Sequence, residues 1–299
     1  MKTPLFRGAA TALITPMRDG NIDYQALEKL IDSQLENGIQ ALVPCGTTGE
    51  PATLSPDEWR EVIRFTVDRV QHRVPVIAGT GGNNTRDVIE RAAVARSLGA
   101  DAQLCVTPYY NKTTQEGLTA HYHAIADSSA LPVILYSVPS RTGMAISLDT
   151  LKTLSRHTNI IALKEAGGDI GRTGDIIAAC GDDLPVYCGS DEMTVPMLSL
   201  GAAGVISVLS NAIPSAVSGM TDSWFAGDTA AARSLQLRYL PLIRLLFKQV
   251  SPIPVKAAMH LMGLCENDLR LPLLPLDDAA AEPLRQELIR LNALNTEGV

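Results

Sequence analysis

Eight short apolar runs, each bounded by turn residues and separated from the next by a segment of helical periodicity, constrain this chain more than any other feature. They are Ala10–Ile14, Gln40–Pro44, Pro75–Ala78, Ala102–Val106, Pro132–Tyr136, Ile160–Lys164, Pro185–Cys188 and Gly204–Val208. Uninterrupted apolar strands belong to sheets covered on both faces, which in practice means parallel sheets joined by helices. The intervening segments supply those helices: Tyr24 to Glu36 carries Leu27, Leu30, Ile31 and Leu35 on one face, and Asp57 to Val70 carries Trp59, Val62, Ile63 and Val67. Ser55 before Pro56, with Glu58 three positions on, reads as a capping-box start. Gly38 and Gly99 read as helix stops. Eight strand–helix units close into a (β/α)8 TIM barrel. An open, doubly wound sheet would carry a glycine fingerprint after its first strand, and Ile14-Thr15-Pro16-Met17 carries none.

Strand-like runs cease after about residue 228, and helical patterns follow over 229–250, 251–265 and 279–294. The expected division is a catalytic barrel over 1–228 and a small C-terminal helical domain over 229–299. With 46% hydrophobic residues, 299 residues suffice for one large core. A formal net charge of -7 offers no general attraction to nucleic acid or anionic lipid. Neither a signal-peptide-like start nor an apolar run of about 18 residues is present, so a cytoplasmic enzyme is expected. Cys45, Cys105, Cys180, Cys188 and Cys265 form no C-x-x-C pair and read as reduced core thiols, with a nucleophilic role left open for Cys45. His72, His121, His123, His157 and His260 show no metal-ligand spacing at a strand end, so no catalytic metal is expected.

Active sites of such barrels lie at the carboxyl ends of the strands. Lys164 ends the sixth run, where an apolar barrel mouth would keep its amine neutral for Schiff-base chemistry; the alternative is an ion pair with a neighbour such as Glu165. Tyr136 ends the fifth run and reads either as a proton carrier or as a phenol tied to backbone at the core edge. Cys45-Gly46-Thr47-Thr48-Gly49-Glu50, after the second run, offers hydroxyls and backbone N–H groups suited to a carboxylate, and lacks the ending of a nucleotide P-loop. Gly79-Thr80-Gly81-Gly82-Asn83-Asn84 reads as a turn. Gly189-Ser190 is a weak phosphate-loop candidate, opposed by the adjacent Asp191 and Glu192. Arg141, beyond Tyr136, reads either as a carboxylate clamp or as a solvated surface charge.

Gly46-Thr47-Thr48-Gly49-Glu50, Thr107-Pro108-Tyr109-Tyr110-Asn111, Tyr136 with Val138-Pro139-Ser140-Arg141-Thr142-Gly143, and Leu163-Lys164-Glu165 together resemble the dihydrodipicolinate synthase family of pyruvate-dependent class I aldolases. The resemblance extends to Pro252-Ile253-Pro254-Val255-Lys256 and Leu269-Arg270-Leu271-Pro272-Leu273. It implies that Lys164 forms an imine with pyruvate, that Tyr136 and Thr47 relay protons, and that Tyr110 completes the relay in a neighbouring subunit. By the same resemblance Thr47 and Thr48 hold the pyruvate carboxylate, Arg141 holds the carboxylate of L-aspartate 4-semialdehyde, and Gly189 and Ile206 line the pocket. It further implies a homotetramer built as a dimer of dimers, a place in lysine and diaminopimelate biosynthesis, and no cofactor beyond the covalent imine.

Ser137 and Pro51 depart from the family's usual asparagine and small residue. An inhibitory lysine site in regulated members corresponds to Pro51, Ala52, Trp59, Asn83, Asp87 and Tyr109; here Asn83 and Tyr109 match, Asp87 is shorter than the usual glutamate, and Pro51 and Trp59 differ, so weak feedback is expected. The rival readings are an N-acetylneuraminate lyase or 2-keto-3-deoxy sugar acid aldolase of the same superfamily, and a non-catalytic barrel that binds a keto acid.

Overall fold

The computed structural model describes residues 2–294. Its eight parallel strands are β1 (Gly8–Ala12), β2 (Ala41–Val43), β3 (Ile77–Gly79), β4 (Ala102–Val106), β5 (Val133–Ser137), β6 (Ile160–Glu165), β7 (Val186–Cys188) and β8 (Gly204–Ser207). They pair in the order β2-β1-β8-β7-β6-β5-β4-β3, and the Leu42–Val76 bridge joins the two ends into a barrel. Each of the eight expected strands is present. The first is displaced toward its N-terminus, because the Ile14 N–H leaves the ladder to donate to the Asn211 side chain at 3.0 Å.

Between the strands run α1 (Tyr24–Glu36), α2 (Pro56–Val70), α3 (Thr85–Ser97), α4 (Gln115–Ser128), α5 (Leu148–Leu154), α6 (Ile170–Cys180) and α7 (Thr194–Ser199); α8 (Pro214–Phe225) follows β8. Local chemistry sets their ends. Ser55 accepts from the Glu58 N–H while the Glu58 carboxylate accepts from the Ser55 N–H, which is the expected capping box. Gly38 and Gly99, just beyond α1 and α3, adopt φ of +75° and +91°, the left-handed conformation that closes a helix C-terminus.

Strand alternation sorts the side chains into two apolar layers. Leu42, Ala78, Cys105, Val133, Leu135, Leu163 and Val205 face outward and pack beneath the helices. Ala10, Ala12, Ala41, Val43, Ile77, Ala102, Leu104, Ile134, Ala162 and Ile206 fill the barrel. At its amino end the interior is plugged by Phe6, whose ring stacks on Tyr187 at 4.2 Å and whose backbone N–H and carbonyl both bond the Tyr187 hydroxyl. With alanine so frequent inside, the aromatic pair supplies bulk at one end and leaves room at the other.

Beyond α8 lie α9 (Thr229–Leu246), α10 (Ile253–Leu261) and α11 (Asp278–Arg290). The expected division at residue 228 falls on the turn Gly227-Asp228, where the Asp228 carboxylate accepts from the Ala231 N–H and starts α9. We propose it as the boundary of the C-terminal helical unit, which stays in contact with the barrel because α9 packs along α8. Among the described residues, no helix is long and apolar enough to cross a membrane.

The backbones of β8 and β1 approach closely at Gly204, where a Cβ would lie 2.0 Å from the Gly8 carbonyl oxygen. Gly204→Ala must therefore push β8 from β1, and a loss of about 3 kcal/mol or more in urea-denaturation stability is expected. Gly219→Ala is the control: its Cβ would meet only Leu235 Cδ1, at an ordinary 3.6 Å, and stability should change by less than about 1 kcal/mol.

Candidate active site

Lys164 and Tyr136 are Cα partners across the β5–β6 ladder. Each lies two residues beyond an inward-facing side chain, Ala162 and Ile134, so strand parity aims both into the carboxyl mouth of the barrel. Lys164 Nζ sits 4.4 Å from the centroid of the Tyr136 ring, and the two residues are only 5% and 7% exposed. Burial pulls the lysine from its ordinary 10.5 down to about 8, while the buried carboxylate of Asp191 pulls the other way. That fall corresponds to about 3 kcal/mol against the ammonium form, more than the ring face at this distance returns to it. Burial pushes the Tyr136 phenol up, and neighbouring Arg141 and Thr47 oppose the shift. The expected alternative partner, Glu165, points to the opposite side of β6 and accepts from the Gly167 N–H at 2.7 Å.

Facing this pair is the loop after β2. Its tight path runs through Cys45 at φ +55° and Glu50 at φ +54°, two left-handed non-glycine residues flanking a 3-10 turn at Thr47–Gly49. Such conformations cost of order 1–3 kcal/mol each and persist only where the surroundings hold them. Thr15 donates to the Gly49 carbonyl at 2.8 Å, and the Cys45 carbonyl is so close to Gly79 that a Cβ there would be 2.0 Å away. Thr48 is buried and Thr47 half-buried against the phenol. Cys45 itself turns inward with its thiol near the Trp59 carbonyl, and burial raises its pKa far above the thiolate range, which removes the nucleophilic reading.

Arg141 sits on the helical turn Pro139–Thr142 and donates from Nη2 to the Ser251 carbonyl at 3.0 Å. With Tyr136 it borders two adjoining cavities. One, of about 490 Å³, reaches Thr47 and Tyr109, and the other, of about 710 Å³, reaches Gly189 and α9. Gly189 is needed as glycine, because a Cβ would lie 2.7 Å from Ala166 Cβ and 3.1 Å from Lys164 Cε. Ile206 is buried in the barrel interior beneath this mouth. Lys164, Tyr136, Thr47, Arg141, Gly189 and Ile206 thus converge, with Thr48 buried in the same loop, whereas Tyr110 does not: at φ +68° its side chain is 92% exposed.

The suggested lysine-site residues are engaged locally. Asn83 donates to the Tyr109 carbonyl at 3.2 Å, and Asp87 accepts from Asn84 at 2.8 Å. Trp59 is 4% exposed with its indole N–H on the Gly79 carbonyl. Among the described residues, no group of three His, Cys, Asp or Glu side chains is placed to hold a metal. His121 instead bonds Thr85, and His123 lies against His157.

Sequence reasoning missed the role of Asp191, which it weighed only as a charge opposing an anion. One carboxylate oxygen accepts from the Val208 and Leu209 N–H groups at 2.9 and 3.0 Å, which fixes a buried charge within reach of Lys164. Its position, three residues past the end of β7 and beside Gly189, was the available signal.

The model of the dihydrodipicolinate synthetase family matches residues 5–290. A 4-hydroxy-tetrahydrodipicolinate synthase of Geobacter metallireducens is 48% identical over 94% of this chain and 97% of its own. Among solved structures, the chloride-inhibited dihydrodipicolinate synthase of Acinetobacter baumannii in complex with pyruvate superposes with a TM-score of 0.95 at 44% identity, covering 97% of this chain and 100% of that one. The dihydrodipicolinate synthase of Cyanidioschyzon merolae, solved with lysine bound, superposes at 0.93 with 38% identity, covering 98% and 100%.

Because the free amine grows in as pH rises through its pKa, modification of Lys164 by cyanate should rise through a midpoint of about 8 and then level off, as read by peptide mass spectrometry. Asp191→Asn removes a charge that holds the pKa up and should move that midpoint lower. A midpoint at the ordinary lysine value would contradict the burial described here.

Proposed function

The chain belongs to the dihydrodipicolinate synthetase family, and on that premise we propose that it condenses pyruvate with L-aspartate 4-semialdehyde through an imine on Lys164, giving 4-hydroxy-tetrahydrodipicolinate. The observation that carries the reading is the buried Lys164 amine, held near neutrality and seated on the Tyr136 ring at the barrel mouth.

The neutral amine attacks the keto carbon of pyruvate, whose carboxylate takes the hydroxyls and N–H groups of Thr47 and Thr48. The Tyr136 phenol, in line with Thr47, passes protons to the carbinolamine oxygen, which leaves as water to give the iminium. Loss of a methyl proton makes the enamine. Its carbon then attacks the aldehyde of the second substrate, whose carboxylate is taken by Arg141 at the rim of the larger cavity. The amine of that substrate adds to the imine carbon, closes the ring and releases Lys164. The lysine carries the electron pair throughout, so the scheme needs no further cofactor.

Tyr110 belongs to this scheme through assembly: a ring that is 92% exposed at a strained φ is suited to enter a neighbouring subunit's relay. We propose a homotetramer, a dimer of dimers, acting in the cytoplasm in lysine and diaminopimelate biosynthesis.

In a coupled assay the protein should turn over pyruvate with L-aspartate 4-semialdehyde and leave N-acetylneuraminate intact; the opposite pattern would move it to the sugar-acid branch of the superfamily. Arg141→Ala should raise KM for the semialdehyde by about 30-fold or more while KM for pyruvate changes little. With Trp59 turned into the core, Asp87 tied to Asn84 and Pro51 in the adjoining loop, millimolar lysine should inhibit only weakly, and strong inhibition below about 1 mM, a binding free energy of about 4 kcal/mol or more, would overturn this.

A further inference from the structure

Lys256, on α10, is charged and has no exposed surface, and its ammonium lies 2.5 Å from Glu50 Oε1 with both side chains essentially inaccessible. The same ammonium donates to the Asp268 carbonyl at 2.9 Å. Glu50 ends the threonine loop, and its other oxygen accepts from the Arg270 N–H at 3.4 Å. Arg270 in turn bonds the Thr53 carbonyl and the Glu58 carboxylate, so the C-terminal segment grips the loop from its far side. A buried pair of this kind is poor value for stability, since an apolar pair of similar volume serves a core as well or better. What it does supply is a directional pull on one backbone position, and here that position is the left-handed residue directly after Thr47, Thr48 and Gly49. The segment that carries Lys256 begins at Ser251, whose carbonyl holds Arg141.

We propose that Lys256 and Glu50 are positioning residues for the pyruvate end of the site: their ion pair pins the threonine loop in its strained conformation, so that the hydroxyls and N–H groups of Thr47 and Thr48 face the imine carbon at Lys164. Neither residue touches substrate. The inference rests on the reading of Lys164 as the pyruvate nucleophile, and it assigns the Lys256–Glu50 pair a part in binding one substrate and not the other.

The test compares wild type, Lys256→Met and the neutral double variant E50Q/K256M. Thermal unfolding reports stability, borohydride trapping at increasing pyruvate reports occupancy of Lys164, and steady-state assays report KM for each substrate. Lys256→Met should be the least stable, because it leaves Glu50 buried without its partner, and the double variant should regain most of that loss. Pyruvate half-saturation should nevertheless rise at least about tenfold in both, with KM for the semialdehyde within about twofold of wild type, because the loop is loosened while Arg141 keeps its tie to Ser251. A double variant that recovers stability and pyruvate affinity together would overturn the proposal and leave the pair as scaffold, as would an equal rise in both KM values. If Lys256→Met does not fold, the double variant alone decides. Absence of trapping in wild type would instead refute the proposed chemistry, independently of the ion pair.

Discussion

The cost of holding a lysine ammonium in an apolar barrel mouth organises the rest of this structure. Strand parity aims Lys164 inward, the Tyr136 ring faces its nitrogen, and Gly189 leaves space that any side chain would fill. The alanine-rich interior gives the mouth depth, and the Phe6–Tyr187 stack closes the opposite end against water. Each arrangement works in the same direction, toward an uncharged amine near neutral pH. Asp191 is the counterweight, since its buried carboxylate raises the amine's pKa against the burial that lowers it.

A second cost is paid in backbone conformation. The loop after β2 has two left-handed non-glycine residues within six positions, and it survives because Thr15, Gly79 and the Lys256–Glu50 pair close on it from three sides. The C-terminal helices are thereby joined to the chemistry. Through Ser251 they hold Arg141, and through Lys256 and Arg270 they hold the threonine loop, so the two ends of the cavity share one anchor.

Elements that depend on local pattern were legible in the sequence. Continuous apolar runs marked the strands, Ser55-Pro56-Asp57-Glu58 marked the start of α2, and a lysine at the end of a strand marked the proposed reactive position. Strand β1 was read too far along because Leu13 and Ile14 are as apolar as the strand itself, and only Asn211, brought close by closure of the barrel, takes the Ile14 N–H out of the ladder. The same reason hid Asp191 and the Lys256–Glu50 pair. Their meaning lies in contacts between segments far apart in the chain, and a single sequence shows charge but not what the charge faces. Trp59 was read both on the apolar face of α2 and as a departure at a regulatory position, and the structure places its indole in the core.

The central claim is that Lys164 is the nucleophile. Sodium borohydride added with pyruvate, followed by intact and peptide mass spectrometry, tests it without assuming the second substrate. One reduced pyruvate adduct per chain, on the peptide that contains Lys164, is the predicted result; no adduct, or an adduct on a different lysine, would contradict the account.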